Sequence, residues 1–122
     1  MNIRYFLATL LSVTVLLIAP GYALAHASLH HSEPGADAVV SVSPPSVRLW
    51  FSKPLEPSFS TVRVVDQAGK QVDKGHAAVD GKDAKLLEVV LPDLPAGTYK
   101  VIWSIVALDG HKAKGDYTFT VK

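Results

Sequence analysis

The sequence predicts an all-β sandwich or Greek-key barrel. Three observations carry that prediction: apolar side chains alternating every second residue in five short segments, turn residues between those segments, and no long stretch with a 3.6-residue apolar period. The alternating sets are Val47/Leu49/Phe51, Val62/Val64, Leu87/Val89/Leu91, Tyr99/Val101/Trp103/Ile105 and Tyr117/Phe119/Val121. Residues two apart share one face of a strand, so each set offers one apolar face to a common core. Glu33-Pro34-Gly35, Pro44-Pro45, Ala68-Gly69-Lys70, Asp80-Gly81 and Pro95-Ala96-Gly97 supply turn chemistry between them. The stretch 73–85 is polar and aperiodic, and reads as a loop with at most one short strand. Trp103 falls in the apolar phase of its strand and is expected in the core. Trp50 falls opposite Phe51, so it is expected either half exposed or packed on the second face.

The first segment stands apart from the β domain. Met1–Arg4 gives a short positive start, and residues 6–19 form an apolar run without a charge. Pro20, Gly21 and the small-residue triplet Ala23-Leu24-Ala25 follow. This order matches a secretory signal peptide over residues 1–25, removed after Ala25, with the mature domain spanning 26–122. A membrane span needs about 20 apolar residues, so an uncleaved anchor is the poorer reading. Ala25-His26-Ala27 is itself an A-x-A triplet, and cleavage after Ala27 would delete His26.

Composition narrows the chemistry. There is no cysteine, so neither a disulfide framework nor a thiolate metal site exists, and an exported domain must rely on its core and hydrogen bonds. Without Arg4 the basic residues balance the eleven acidic ones, and the charges are scattered. No basic stripe suggests nucleic acid. Hydrolase readings lack their parts: there is no G-x-S-x-G elbow, H-E-x-x-H helix or phosphate-cradling loop.

Histidine therefore carries most of the metal-binding potential, in His26, His30, His31, His76 and His111. If cleavage falls after Ala25, His26 opens the mature chain. It then presents a free α-amine and a ring Nδ1 from one residue, which together close a chelate ring. An amine with a pKa near 8 and an imidazole near 6.5 both shed protons around neutrality. An internal histidine has an amide instead of the amine. A third nitrogen would complete a T-shaped set, and tetragonal nitrogen and oxygen ligation suits copper(II). Asp109-Gly110-His111 is the second feature. In an extended segment Asp109 and His111 point to one side, whereas the bland reading is an Asp-Gly turn followed by an exposed histidine. His30 lies about 13 Å from His26 in an extended strand, too far to share its metal, and His31 faces the other way. A second, weak site from His30, His31 or His76 competes with their being solvated surface residues.

These motifs resemble the copper-resistance protein C (CopC) family of periplasmic copper carriers. The likeness runs through His26-Ala27-Ser28-Leu29, residues 32–36, residues 47–52, the segments 94–103 and 106–111, and Gly115-Asp116-Tyr117-Thr118-Phe119. It implies a small Greek-key β-barrel, also described as immunoglobulin-like. It further implies a copper(II) site of His26, Asp109 and His111. His26 would chelate through two atoms, His111 would give the third nitrogen, and Asp109 would serve as a charge-compensating or axial oxygen. An inner-membrane partner of the CopD type is implied as well.

Two departures from the family pattern stand out. The only methionine is Met1, so no thioether copper(I) site is expected. Lys53 follows Ser52 where some members carry an acidic residue. A protonated lysine cannot ligate, which leaves Glu56 or water for the fourth equatorial position. The expected function is that of a non-enzymatic periplasmic copper(II) carrier or buffer. Its rivals are an N-terminal-histidine-brace copper monooxygenase acting on polysaccharide, for which the domain leaves little room, and a metal-free structural or adhesion sandwich.

Overall fold

The structure, a computed structural model, describes residues 27–122. Eight strands run in the order β1 (Leu29–Glu33), β2 (Val39–Val40), β3 (Ser46–Phe51), β4 (Thr61–Val65), β5 (Ala78–Val79), β6 (Leu86–Val90), β7 (Gly97–Val106) and β8 (Lys112–Val121). One 3-10 turn, Pro57–Phe59, precedes β4. Two four-stranded sheets result, ordered β1-β3-β6-β5 and β2-β8-β7-β4. The chain changes sheet at every step from β1 to β5 and again from β6 to β7, which makes the Greek-key sandwich. All pairings are antiparallel except β2 with β8.

The five segments read from alternation are β3, β4, β6, β7 and β8. Their inward residues meet between the sheets: Val47, Leu49 and Phe51 from β3, Val62 and Val64 from β4, Leu87 and Val89 from β6, Tyr99, Val101 and Ile105 from β7, and Phe119 and Val121 from β8. Leu49, Val64, Leu87, Val101 and Ile105 are fully buried. Burying one such side chain is worth about 1.5–3 kcal/mol. The short β5 is the single strand anticipated within 73–85. The other two, β1 and β2, had no apolar period to announce them. In β1 the register shifts between Leu29, opposite Phe51, and His31, opposite Trp50. His30 is the extra residue of this bulge, so strict alternation fails and both His30 and His31 stay exposed.

Trp103 is only half buried. Its ring meets Phe51 of the facing sheet edge-on, with centroids 5.1 Å apart. It also lies over Gly115, its partner across β7 and β8. A Cβ on Gly115 would run into the Trp103 indole, so any larger residue there would have to push the ring aside. Trp50 takes the half-exposed place on the outer face, between the His31 ring at 5.0 Å and the Arg48 guanidinium at 4.8 Å. Its neighbourhood is polar because β3 turns Arg48 and Trp50 away from the core in alternation with Val47, Leu49 and Phe51.

Two buried hydroxyls tie loops to the sandwich. Tyr99 donates to the Pro95 carbonyl at 2.6 Å, and Tyr117 donates to the Pro34 carbonyl at 2.8 Å. Burial pushes the Tyr117 phenol up to about 12, because the phenolate would lose its water. Burial raises Tyr99 as well, with the Asp66 carboxylate adding to the effect.

Candidate metal centre

The long β7–β8 hairpin pairs without interruption from Gly97 opposite Val121 to Val106 opposite Lys112. It closes through Ala107–His111, so Asp109 and His111 sit on its tip. The tip is a compact turn rather than an extended segment. Ala107 N–H donates to the His111 carbonyl, and Gly110 N–H donates back to the Ala107 carbonyl, both at 2.8 Å. Gly110 takes φ 90°, a left-handed conformation that glycine adopts without a Cβ clash. Of the two readings of Asp109-Gly110-His111, the structure takes the Asp-Gly turn and not the extended segment. The two side chains still meet, but through the turn.

Their contact is specific. Asp109 Oδ1 accepts from the His111 backbone N–H at 3.1 Å and lies 3.0 Å from His111 Nδ1. Nδ1 thus faces the carboxylate, which can only accept, and Nε2 is the ring nitrogen turned away from it. A carboxylate holding one ring nitrogen so that the other faces a metal recurs throughout metal-binding histidines. Both side chains are about half exposed, so an ion reaches Nε2 from solvent.

The second oxygen of Asp109 is also taken. Lys53 donates from Nζ to Oδ2 at 2.6 Å. This ammonium foremost, then the His111 backbone N–H and the His111 ring, hold the Asp109 carboxyl far below the usual carboxylate range. The pair spans 56 positions of chain. Nothing local in the sequence foretells it, although Lys53 itself stood out as a departure from the acidic residue expected there.

Backbone pairing stations Lys53 beside the tip. Leu108 N–H donates to the Pro54 carbonyl at 3.0 Å, Glu56 N–H donates to the Val106 carbonyl at 2.7 Å, and Leu55 bridges Ala107. On the other side, Ser52 N–H donates to the Ser28 carbonyl at 2.9 Å, and Ser28 N–H donates to Ser52 Oγ at 2.9 Å. Ala27 is buried in the core. The start of the described chain and the hairpin tip therefore flank one segment, residues 52–55.

The other candidates lie apart or outside. His26 falls outside the described residues. Glu56 uses its carboxylate to cap the 3-10 turn, with Oε1 accepting from Ser58 N–H at 3.4 Å. The His31 ring lies 3.3 Å from Glu33, and His76 is an exposed loop residue at φ 60°. Among the described residues no group of three His, Cys, Asp or Glu side chains could hold a metal ion. His30, His31 and His76 thus form no second site by themselves. Asp109 and His111 meet as a pair, with no third such side chain grouped with them among the described residues.

Comparison with known proteins places this arrangement. The CopC domain family matches residues 29–122. Protein YobA of Escherichia coli K12 is 40% identical over 122 residues, covering 99% of this chain and 95% of that protein. Copper resistance protein C of Escherichia coli is 38% identical over 109 residues, covering 82% of this chain and 84% of the relative. The crystal structure of CopC from Methylosinus trichosporium OB3b superposes with a TM-score of 0.74 at 34% identity, over 80% of this chain and 94% of that one.

Proposed function

This chain belongs to the CopC family, and on that premise we propose that it is an exported, periplasmic copper(II)-binding protein that carries or buffers the ion without catalysis. His26, freed by cleavage after Ala25, grips the ion through its α-amine and ring Nδ1. His111 adds Nε2 as the third nitrogen. Asp109 orients the His111 ring and compensates charge, and water completes the plane. Glu56 is the poorer fourth ligand, since its carboxylate already caps a turn. Delivery to an inner-membrane protein of the CopD type is the natural destination for such a carrier.

The observation that carries this reading is the Asp109–His111 pair. It fixes one imidazole with its outer nitrogen free, at the hairpin tip that shares residues 52–55 with the segment following His26. Three nitrogens in a plane with oxygen beyond them suit copper(II), which stands highest in the divalent affinity order. Ala27 and Ser28 are fastened to the sandwich, so a chelating residue attached to them loses little further freedom on binding.

The test is a protein that begins one residue early. An additional residue ahead of His26 turns the amine into an amide and leaves the fold alone. Copper(II) affinity should fall by at least about a hundredfold with an unchanged melting temperature, because a chelating nitrogen is lost. Undiminished affinity would reject the amine as a ligand. Intact mass of the exported protein fixes its first residue, and a start at Ser28 would reject His26 altogether.

A further inference from the structure

Lys53 lies two residues beyond the end of β3, beside the β7–β8 hairpin tip. Its ammonium lies at the tip, 2.6 Å from Asp109 Oδ2. Its side chain is more buried than either partner at the tip, 27% exposed against 42% for Asp109 and 51% for His111. Ser52 and Pro54 on either side of it are pinned by backbone hydrogen bonds, to Ser28 and Leu108 respectively. The charge therefore sits on a held strand end and does not sweep solvent on a free loop.

Asp109 has no uncommitted oxygen. Oδ2 faces the ammonium, while Oδ1 serves the His111 backbone and ring. A cation that took Asp109 as a direct ligand would have to share Oδ2 with the ammonium or displace it. A cation that left it in place would bind beside a fixed positive charge.

From this geometry we infer that Lys53 is a positioning and exchange-setting residue. It keeps Asp109 in the role of ring-holder for His111, denies the ion a carboxylate ligand, and shortens the ion's stay by like-charge repulsion. The inference rests on the copper(II) reading of the same site and adds what that reading leaves open, namely how firmly the site holds its cargo. A carrier must release its ion to an acceptor, and a built-in repulsion lowers affinity without removing any nitrogen ligand. Two like charges a few ångströms apart in a half-exposed setting change affinity by about tenfold to a hundredfold, and salt screens the effect.

The test compares the exported protein with its Lys53→Met and Lys53→Arg variants. Three readouts are needed: competition with a copper(II) chelator of known strength, dissociation rate in a chelator chase, and the copper(II) electron paramagnetic resonance spectrum. Lys53→Met should bind about 10–100-fold more tightly, chiefly through slower dissociation. Its spectrum should move toward an added oxygen donor as Asp109 is released. Lys53→Arg retains the charge and should behave like the parent. Raising the salt concentration should strengthen copper binding in the parent and not in Lys53→Met, a difference that a merely structural lysine would not produce.

Equal or weaker binding by a Lys53→Met protein of normal melting temperature overturns the inference, as does a Lys53→Arg protein that behaves like Lys53→Met. If copper affinity depends on the free amine but is unmoved in Lys53→Met, the inference fails alone. If affinity ignores an additional residue before His26, the site reading fails and the inference falls with it.

Discussion

The two ends of the β7–β8 hairpin use polar side chains in opposite ways. At the strand ends near Gly97, Tyr99 is buried, and its neutral hydroxyl is spent on the Pro95 carbonyl. Tyr117, midway along β8, does the same with Pro34. At the tip, Asp109, Lys53 and His111 are charged or chargeable, partly exposed, and paired with one another. Buried neutral hydrogen bonds add to stability because the donor and acceptor have nowhere else to turn. Exposed ion pairs add little, because water competes for both partners and salt screens them. The hairpin thus keeps its stability away from the candidate site at its tip.

That division can be broken from either side. The largest expected effect is on the core: Leu49→Ala should destabilise the fold by about 2–5 kcal/mol, measured by urea or thermal unfolding. The copper affinity of the protein that remains folded should be unchanged. A parallel loss of affinity would mean that the tip is not independent of the sandwich.

Next comes the tip itself. His111→Ala should cost about a hundredfold in copper(II) affinity, since it removes a nitrogen donor. Asp109→Ala should cost about tenfold, the size expected for the partner that orients a ligating imidazole. Both should leave the melting temperature within about 2 °C of the parent, because neither side chain is buried. Equal or reversed losses of affinity would make Asp109 a direct ligand and His111 its support. Binding to both variants should also weaken as pH falls from 8 toward 5.5, as protons reclaim amine and imidazole nitrogens.

The smallest effect lies at the buried hydroxyls. The Tyr117 phenol ionises near 10 when exposed and is pushed up to about 12 in the fold. The folded state therefore retains a proton that the unfolded state releases. The resulting stability is complete below pH 10 and is lost as pH rises from 10 through 12. Tyr117→Phe should forfeit about 1 kcal/mol for the lost hydrogen bond to Pro34. It should also flatten the alkaline limb of the melting profile, without altering copper binding. An alkaline limb as steep as the parent's would assign the pH dependence to other groups.

Legibility follows the same contrast. Five strands were readable because a buried face imposes a two-residue period on sequence, as in Val47-Arg48-Leu49-Trp50-Phe51. Two further strands, β1 and β2, were not. One is interrupted by the His30 bulge, and the other is a two-residue edge held by backbone pairing, which leaves no mark on side-chain type. Asp109 and His111 were readable as a pair because two positions separate them. The route by which they meet was not, since it depends on Gly110 taking a left-handed turn.

By itself the sequence determined the β class, the inward faces of five strands, the absence of cysteine and of any methionine beyond Met1, and a histidine-based candidate site. Periodicity and residue chemistry are local properties, so they survive translation into a string of letters. Only the tertiary structure decided that both Asp109 oxygens have partners, that His111 turns Nδ1 toward Asp109, and that Lys53 stands at the tip. Those facts arise where segments far apart in the chain are packed side by side, and the physical cause is the sandwich itself. Burying β3 against the β7 sheet carries residues 52–55 past residues 107–108, and the lysine goes with them.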